Sequence, residues 1–155
     1  MKMKERSERG AALVEMAVIL PVFLLMMFGM IEASWAFASA NDVRHGAREG
    51  ARLAAVGAAP FESVDEIGAE VCSRMDIAGG SGVTVTFATP TGDGSRGSEG
   101  TIIVSLNYSS LTGSLDSWFG GKVIDSDIDF VIESPITGAS TWWDDVGGGG
   151  ASYSC

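Results

Sequence analysis

Glu15 stands alone at the mouth of an apolar run from Met16 to Ile31 that holds no other charge. A charged side chain at the centre of a bilayer costs roughly 2.5–3.5 kcal/mol on insertion scales, and carboxylates inside membranes usually face a partner. Five residues earlier lies Gly10, preceded by Lys2, Lys4, Arg6 and Arg9 against Glu5 and Glu8. A cut between Gly10 and Ala11 would create an α-amino group on Ala11, whose usual pKa of about 8 leaves it largely cationic. Glu15, then the fifth residue, is a partner for that amine on its own helix or on a neighbouring one. The plainer alternative is a membrane anchor with a glutamate at its boundary.

Other residues offer less. Asp42, His45 and Glu49 share a helical face at i, i+3 and i+7. The chain has one histidine and no second nitrogen or sulfur ligand nearby, so a solvated polar face is expected rather than a metal site. Asp125, Asp127 and Asp129 invite a calcium reading, but an EF-hand loop needs glycine at its sixth position and glutamate at its twelfth. Phe130 and Ile136 stand there, and carboxylates alternating on the exposed face of an edge strand are the better account, since charge on an edge discourages pairing between sheets. The two cysteines, Cys72 and Cys155, are expected to form a disulfide if the domain lies outside the cytoplasm. The alternative is one buried thiol and one free one. There is no G-x-x-x-x-G-K-[ST] loop and no recognisable nucleophile setting, so the chain is not expected to be an enzyme, and no cofactor is expected.

The elements that position these residues follow from periodicity. Residues 11–31 are long enough to cross the hydrocarbon core, roughly 31 Å as a helix. Residues 32–58 read as an extension of that helix outside the membrane. Arg44, Arg48 and Arg52 make a basic stripe at every fourth position, and Gly46, Gly50, Ala47, Ala51, Ala54 and Ala55 supply a small-residue face. Such faces let helices approach closely, either against sister helices or against the chain's own domain. Pro60 ends this helix or starts the next, an amphipathic one over 61–75 with its apolar stripe at Phe61, Val64, Ile67, Gly68, Val71, Cys72 and Met75. Ser63 and Glu66 have capping-box spacing, and Gly79-Gly80 is expected to stop the helix.

Three strands are expected around Val83–Phe87, Ile102–Tyr108 and Ile128–Ile132, with a mobile hairpin loop over 89–100. Leu111, Leu115, Trp118 and Phe119 read as an apolar patch capping the core. The expected fold class is α+β, with a long N-terminal helix, a second amphipathic helix and a three-stranded antiparallel sheet. The segments are 1–10 (leader), 11–31 (membrane helix), 32–58 (extension), 59–140 (small α+β domain) and 141–155 (a Trp/Gly-rich tail). The role of Trp142-Trp143 in that tail is open.

Gly10 and Glu15 together resemble the type IV prepilin signal, a short basic leader ending in glycine before a hydrophobic helix with glutamate at its fifth position. With Leu20-Pro21 and the run Arg48-Glu49-Gly50-Ala51-Arg52, the first 58 or so residues resemble the N-terminal half of TadE-like pseudopilins of the tight-adherence (Tad) pilus system. The resemblance implies a pilin-like fold and a minor pseudopilin acting in pilus biogenesis, secretion and surface adhesion. Its implied partners are a prepilin peptidase, other pilins or pseudopilins, and the Tad membrane platform.

Charge sets the orientation. The formal net charge is −10, and beyond residue 10 six basic residues face eighteen acidic ones, a net of −12. The basic flank keeps the N-terminus in the cytoplasm by the positive-inside rule, so a single-pass inner-membrane protein with its C-terminal domain outside is expected. The acidity argues against binding nucleic acid. An alternative remains open. Ala38-Ser39-Ala40 is an A-x-A pattern, and cleavage after Ala40 would release a soluble binding or accessory domain. Against it, the uncharged stretch after Glu15 runs from Met16 to Ile31, slightly longer than the usual h-region of about 7–15 residues.

Overall fold

The computed structural model describes residues 4–56, 63–75, 82–92, 95–113, 117, 121–133 and 150–155. They form α1 (Lys4–Val56), α2 (Val64–Ser73), β1 (Val83–Thr91), β2 (Glu99–Asn107), β3 (Val123–Val131) and β4 (Ala151–Ser154). The chain divides into two compact units, Met1–Trp35 and Ala36–Cys155, and α1 contributes to both.

The first unit is helical because its residues are mostly strong helix formers, with Leu, Met and Ala frequent among them. Pro21 lies inside α1 and cannot donate to the carbonyl four residues back. Ser34 Oγ donates to the Met30 carbonyl at 2.8 Å.

The second unit is two layers around one core. Its antiparallel sheet has the order β3-β2-β1-β4. Alternation puts Ile102, Val104 and Leu106 of β2 on the core face, joined by Val83, Val85 and Phe87 of β1. The facing layer is α2 with the 36–56 stretch of α1, which buries Val43, Ala47, Ala51, Leu53 and Ala54 in the same cluster. The small residues set the depth of that contact. A Cβ on Gly46 would lie 2.8 Å from Met75 Sδ, and one on Gly50 would run into Ile102 Cδ1. The small-residue face is therefore occupied by the chain's own domain.

The expected capping box starts α2. Glu66 N–H donates to Ser63 Oγ, and Ser63 N–H donates to Glu66 Oε2, both at 3.2 Å. Val64, Ile67, Gly68 and Val71 are buried. At the end of α1, Glu133 N–H donates to the Ala55 carbonyl at 2.9 Å, satisfying one of the acceptors a helix end leaves open.

The α+β class holds, but the sheet has four strands rather than three. β4 falls in the stretch expected to be a tail. It pairs with β1 from Thr84↔Ser154 to Phe87↔Ala151, and a Cβ on Gly68 would lie 2.5 Å from Tyr153 Cβ, so α2 packs down on it. Four residues carrying two serines have little strand signal of their own, and tertiary pairing decides the matter. Two further expectations are corrected. β1 runs on to Thr91, with a register shift between Ala88 and Thr91. The shift coincides with Pro90, which cannot donate to a regular ladder, and the hairpin loop is shorter than 89–100. Leu111 is exposed rather than part of a core cap. The expectations at Pro60, Phe61, Gly79-Gly80, Leu115, Trp118, Phe119 and Trp142-Trp143 lie outside the described residues.

Candidate processing and assembly site

Gly10, Ala11 and Glu15 lie on one unbroken stretch of α1, and all three are exposed. A Cβ built on Gly10 would meet nothing within 4 Å. Packing within the chain therefore gives no reason for glycine there, and its helix propensity is about 1 kcal/mol worse than alanine's. Ala11 and Glu15 are four residues apart, one above the other on the same face. Because Cβ atoms tilt toward a helix N-terminus, the Glu15 side chain leans toward the Ala11 backbone nitrogen. That nitrogen is the atom a cut after Gly10 would turn into an amine.

The residues that follow are apolar on every side of the helix. Leu13, Val18, Phe23, Leu25 and Met30 are each more than half exposed. The most apolar stretch of this helix is wholly unburied. Soluble monomers rarely leave patches above a few hundred Å² uncovered. α1 thus carries one segment long and apolar enough to cross a membrane. α1 also continues unbroken through Ala38-Ser39-Ala40, where the alternative cut would fall. Ser39 is 2 % exposed, and Val43 just beyond it is fully buried.

Further along α1, the polar face expected at Asp42, His45 and Glu49 is divided. His45 is exposed, while the Glu49 side chain is only 13 % exposed. Glu49 takes Arg52 in a two-pronged contact, Nη2–Oε1 at 2.7 Å and Nε–Oε2 at 3.1 Å. It also takes Arg74 Nη1 from α2 at 2.6 Å, and Arg74 Nη2 reaches Glu70 at 2.6 Å. The Arg52 hydrogen bond, helped by the charges of Arg52, Arg74 and His45, holds the Glu49 carboxyl below its ordinary value against the opposing effect of burial. Spacing along α1 could not reveal this cluster, because Arg74 arrives from another helix. Glu32, at 4 % exposure, is a buried carboxylate that the sequence did not mark.

Cys72 and Cys155 are joined by a disulfide, with Cα atoms 5.8 Å apart across 83 residues of chain. Cys155 N–H also donates to the Val83 carbonyl at 3.0 Å. The bond ties the end of β4 to α2. Asp125, Asp127 and Asp129 are exposed on β3, an edge strand. Among the described residues no group of three His, Cys, Asp or Glu side chains is placed to hold a metal ion.

Residues 10–52 match the model of a known family, described as TadE-like protein. This is the family that Gly10, Glu15, Leu20-Pro21 and the REGAR run resemble, and every one of those positions lies within the matched segment. The family is related to the Tad pilus and is structural rather than enzymatic. No curated protein and no solved structure matches the chain.

Proposed function

We propose that the chain is a minor pseudopilin of a Tad-type pilus assembly and secretion system, acting in pilus biogenesis and surface adhesion. A prepilin peptidase removes residues 1–10. The apolar part of α1 anchors the product in the inner membrane, with the N-terminus cytoplasmic and residues 32–155 outside. The amine of Ala11 then pairs with Glu15 of its own or a neighbouring helix as pilins or pseudopilins gather on the Tad platform. The family match over residues 10–52 carries this reading, and the glycine that internal packing does not require supports it.

N-terminal sequencing of the protein isolated from its host membrane tests the proposal. A start at Ala11 is expected, and Gly10→Leu should leave a slower-migrating precursor. A start at Asn41 would overturn both the processing and the anchor. Glu15→Ala should insert at least as well as wild type, since a charge has left the bilayer, yet fail to support assembly. Normal piliation by that variant would reduce Glu15 to a boundary residue.

A further inference from the structure

Six cationic side chains lie beyond residue 10, and four of them have partners within the chain. Arg52 and Arg74 hold carboxylates, Arg96 Nε donates to the Glu133 carbonyl at 2.7 Å, and Lys122 is also engaged. Arg44 and Arg48 are exposed and, among the described residues, make no ion pair. On the other layer, Asp125 and Asp127 are exposed and likewise make none. Asp129 accepts a hydrogen bond from Thr101 Oγ1 at 2.7 Å.

These two unpaired sets lie on different layers of the domain. Val43, Ala47 and Ala54 turn into the core, so Arg44 and Arg48, about 100–140° round the helix from the middle of its buried face, sit on its exposed flank and back. Ile102 and Val104 turn into the core, so Ile103 and Ser105 face outward, opposite Asp127 and Asp125 in the β2–β3 register. Thr86 and Thr84 of β1 continue those two rows. The sheet's outer face carries hydroxyls around Ile103, with the β3 carboxylates and the exposed Val123 and Val131 along one side. At its Asp129 end is a cleft of about 430 Å³, lined in part by Thr91, Glu99, Thr101 and Asp129, where a guanidinium would meet two carboxylates.

We propose that this outer face docks on the arginine-bearing face of α1 in a second copy of the chain. The spacings agree: four residues of helix advance about 6 Å, and two residues of strand about 6.8 Å. The two sets belong to different layers and, among the described residues, make no ion pair with each other, so the contact is between molecules. It is also head-to-tail, because one face meets a different face, and such contacts build open arrays unless rotation closes a ring. Each exposed pair contributes little alone. The charges therefore select the partner face and the register, while density in the membrane raises the local concentration. Only that last step rests on the anchor proposed above.

The test reconstitutes the full chain in phosphatidylcholine vesicles and reads energy transfer between copies labelled at Ser109→Cys, with no reductant present. Concentration-dependent transfer is expected, weakened by 0.5 M salt. Arg44→Glu with Arg48→Glu, and separately Asp125→Lys with Asp127→Lys, should each raise the density needed for half-maximal transfer about tenfold. Mixing the two variants should restore transfer, because each then offers the face the other needs. Arg44→Gln with Arg48→Gln supplies a milder version should a reversal disturb folding, which circular dichroism reads. Wild-type transfer indifferent to both reversals, reversals that mixing does not rescue, or no wild-type transfer would each overturn the proposal. So would a stripe whose reversal changes only binding to vesicles with anionic lipid. Flotation with vesicles reports the anchor separately; if that fails, the same comparison in detergent micelles still decides the docking.

Discussion

Gly29 and Gly50 belong to the same helix and meet opposite surroundings. A Cβ on Gly29 would touch nothing, while one on Gly50 would collide with Ile102. The side chains around them differ in the same way. Large Leu, Met, Phe and Val residues crowd the stretch before Ile31 and are exposed; Ala and Gly dominate from Gly46 to Ala55, where most are buried. Helix geometry is common to both stretches, so what differs is the surface each presents. Bulky apolar groups all round suit hydrocarbon, which asks for no shape complementarity. Small groups on one side suit a protein surface that must come close.

The largest expected effect breaks the second region alone. Cys72→Ser or Cys155→Ser opens a loop spanning 83 residues of sequence, which by chain entropy is worth about 4–5 kcal/mol. It also frees the end of β4 from α2. Both variants should lower the unfolding midpoint of the sheet domain by similar amounts, read by near-ultraviolet circular dichroism in detergent. Vesicle flotation should be unchanged. Equal stability of the variants and wild type, or loss of flotation, would show that the two regions are not separable in this way.

Next comes a paired substitution at the contrasting glycines. Gly50→Leu forces Ile102 and Val71 aside and should cost about 1–3 kcal/mol through overpacking. Gly29→Leu adds apolar surface where nothing opposes it and should leave the sheet domain's stability within about 0.5 kcal/mol. Thermal unfolding of the two variants side by side gives the answer. Comparable losses would mean that Gly29, too, is a packing position.

Parts of this contrast are legible in the sequence. The apolar run reads directly, as does the capping box at Ser63 and Glu66, because both are local. The alternation of β2 is plain because its core side is an unbroken series of aliphatics, from Ile102 to Leu106. What stayed hidden depended on partners distant in sequence. β4 is a strand because β1 and α2 bracket it, and nothing in Ala-Ser-Tyr-Ser says so. Arg74 crosses from α2 to Glu49, and no spacing on α1 predicts it. The small face of α1 suited either a sister helix or the chain's own sheet, and only the position of Ile102 decides between them.

The smallest effect concerns that crossing. Glu49 is held by Arg52 and Arg74, and its carboxyl titrates below the ordinary 4.5. A carboxyl depressed on folding adds stability above its unfolded value, and that stability is lost as pH falls through the folded value. Glu49→Gln should therefore be less stable than wild type at pH 7, and the two should converge on acidification below about pH 4. The gap should be modest, since Arg52 is largely exposed and solvent screens the pair. Added salt should narrow it further at neutral pH. Midpoints of wild type and variant, taken from pH 7 down to pH 3, would reveal the convergence. A gap that persists unchanged at low pH would mean that Glu49 joins α1 to α2 by packing, with its charge playing no part.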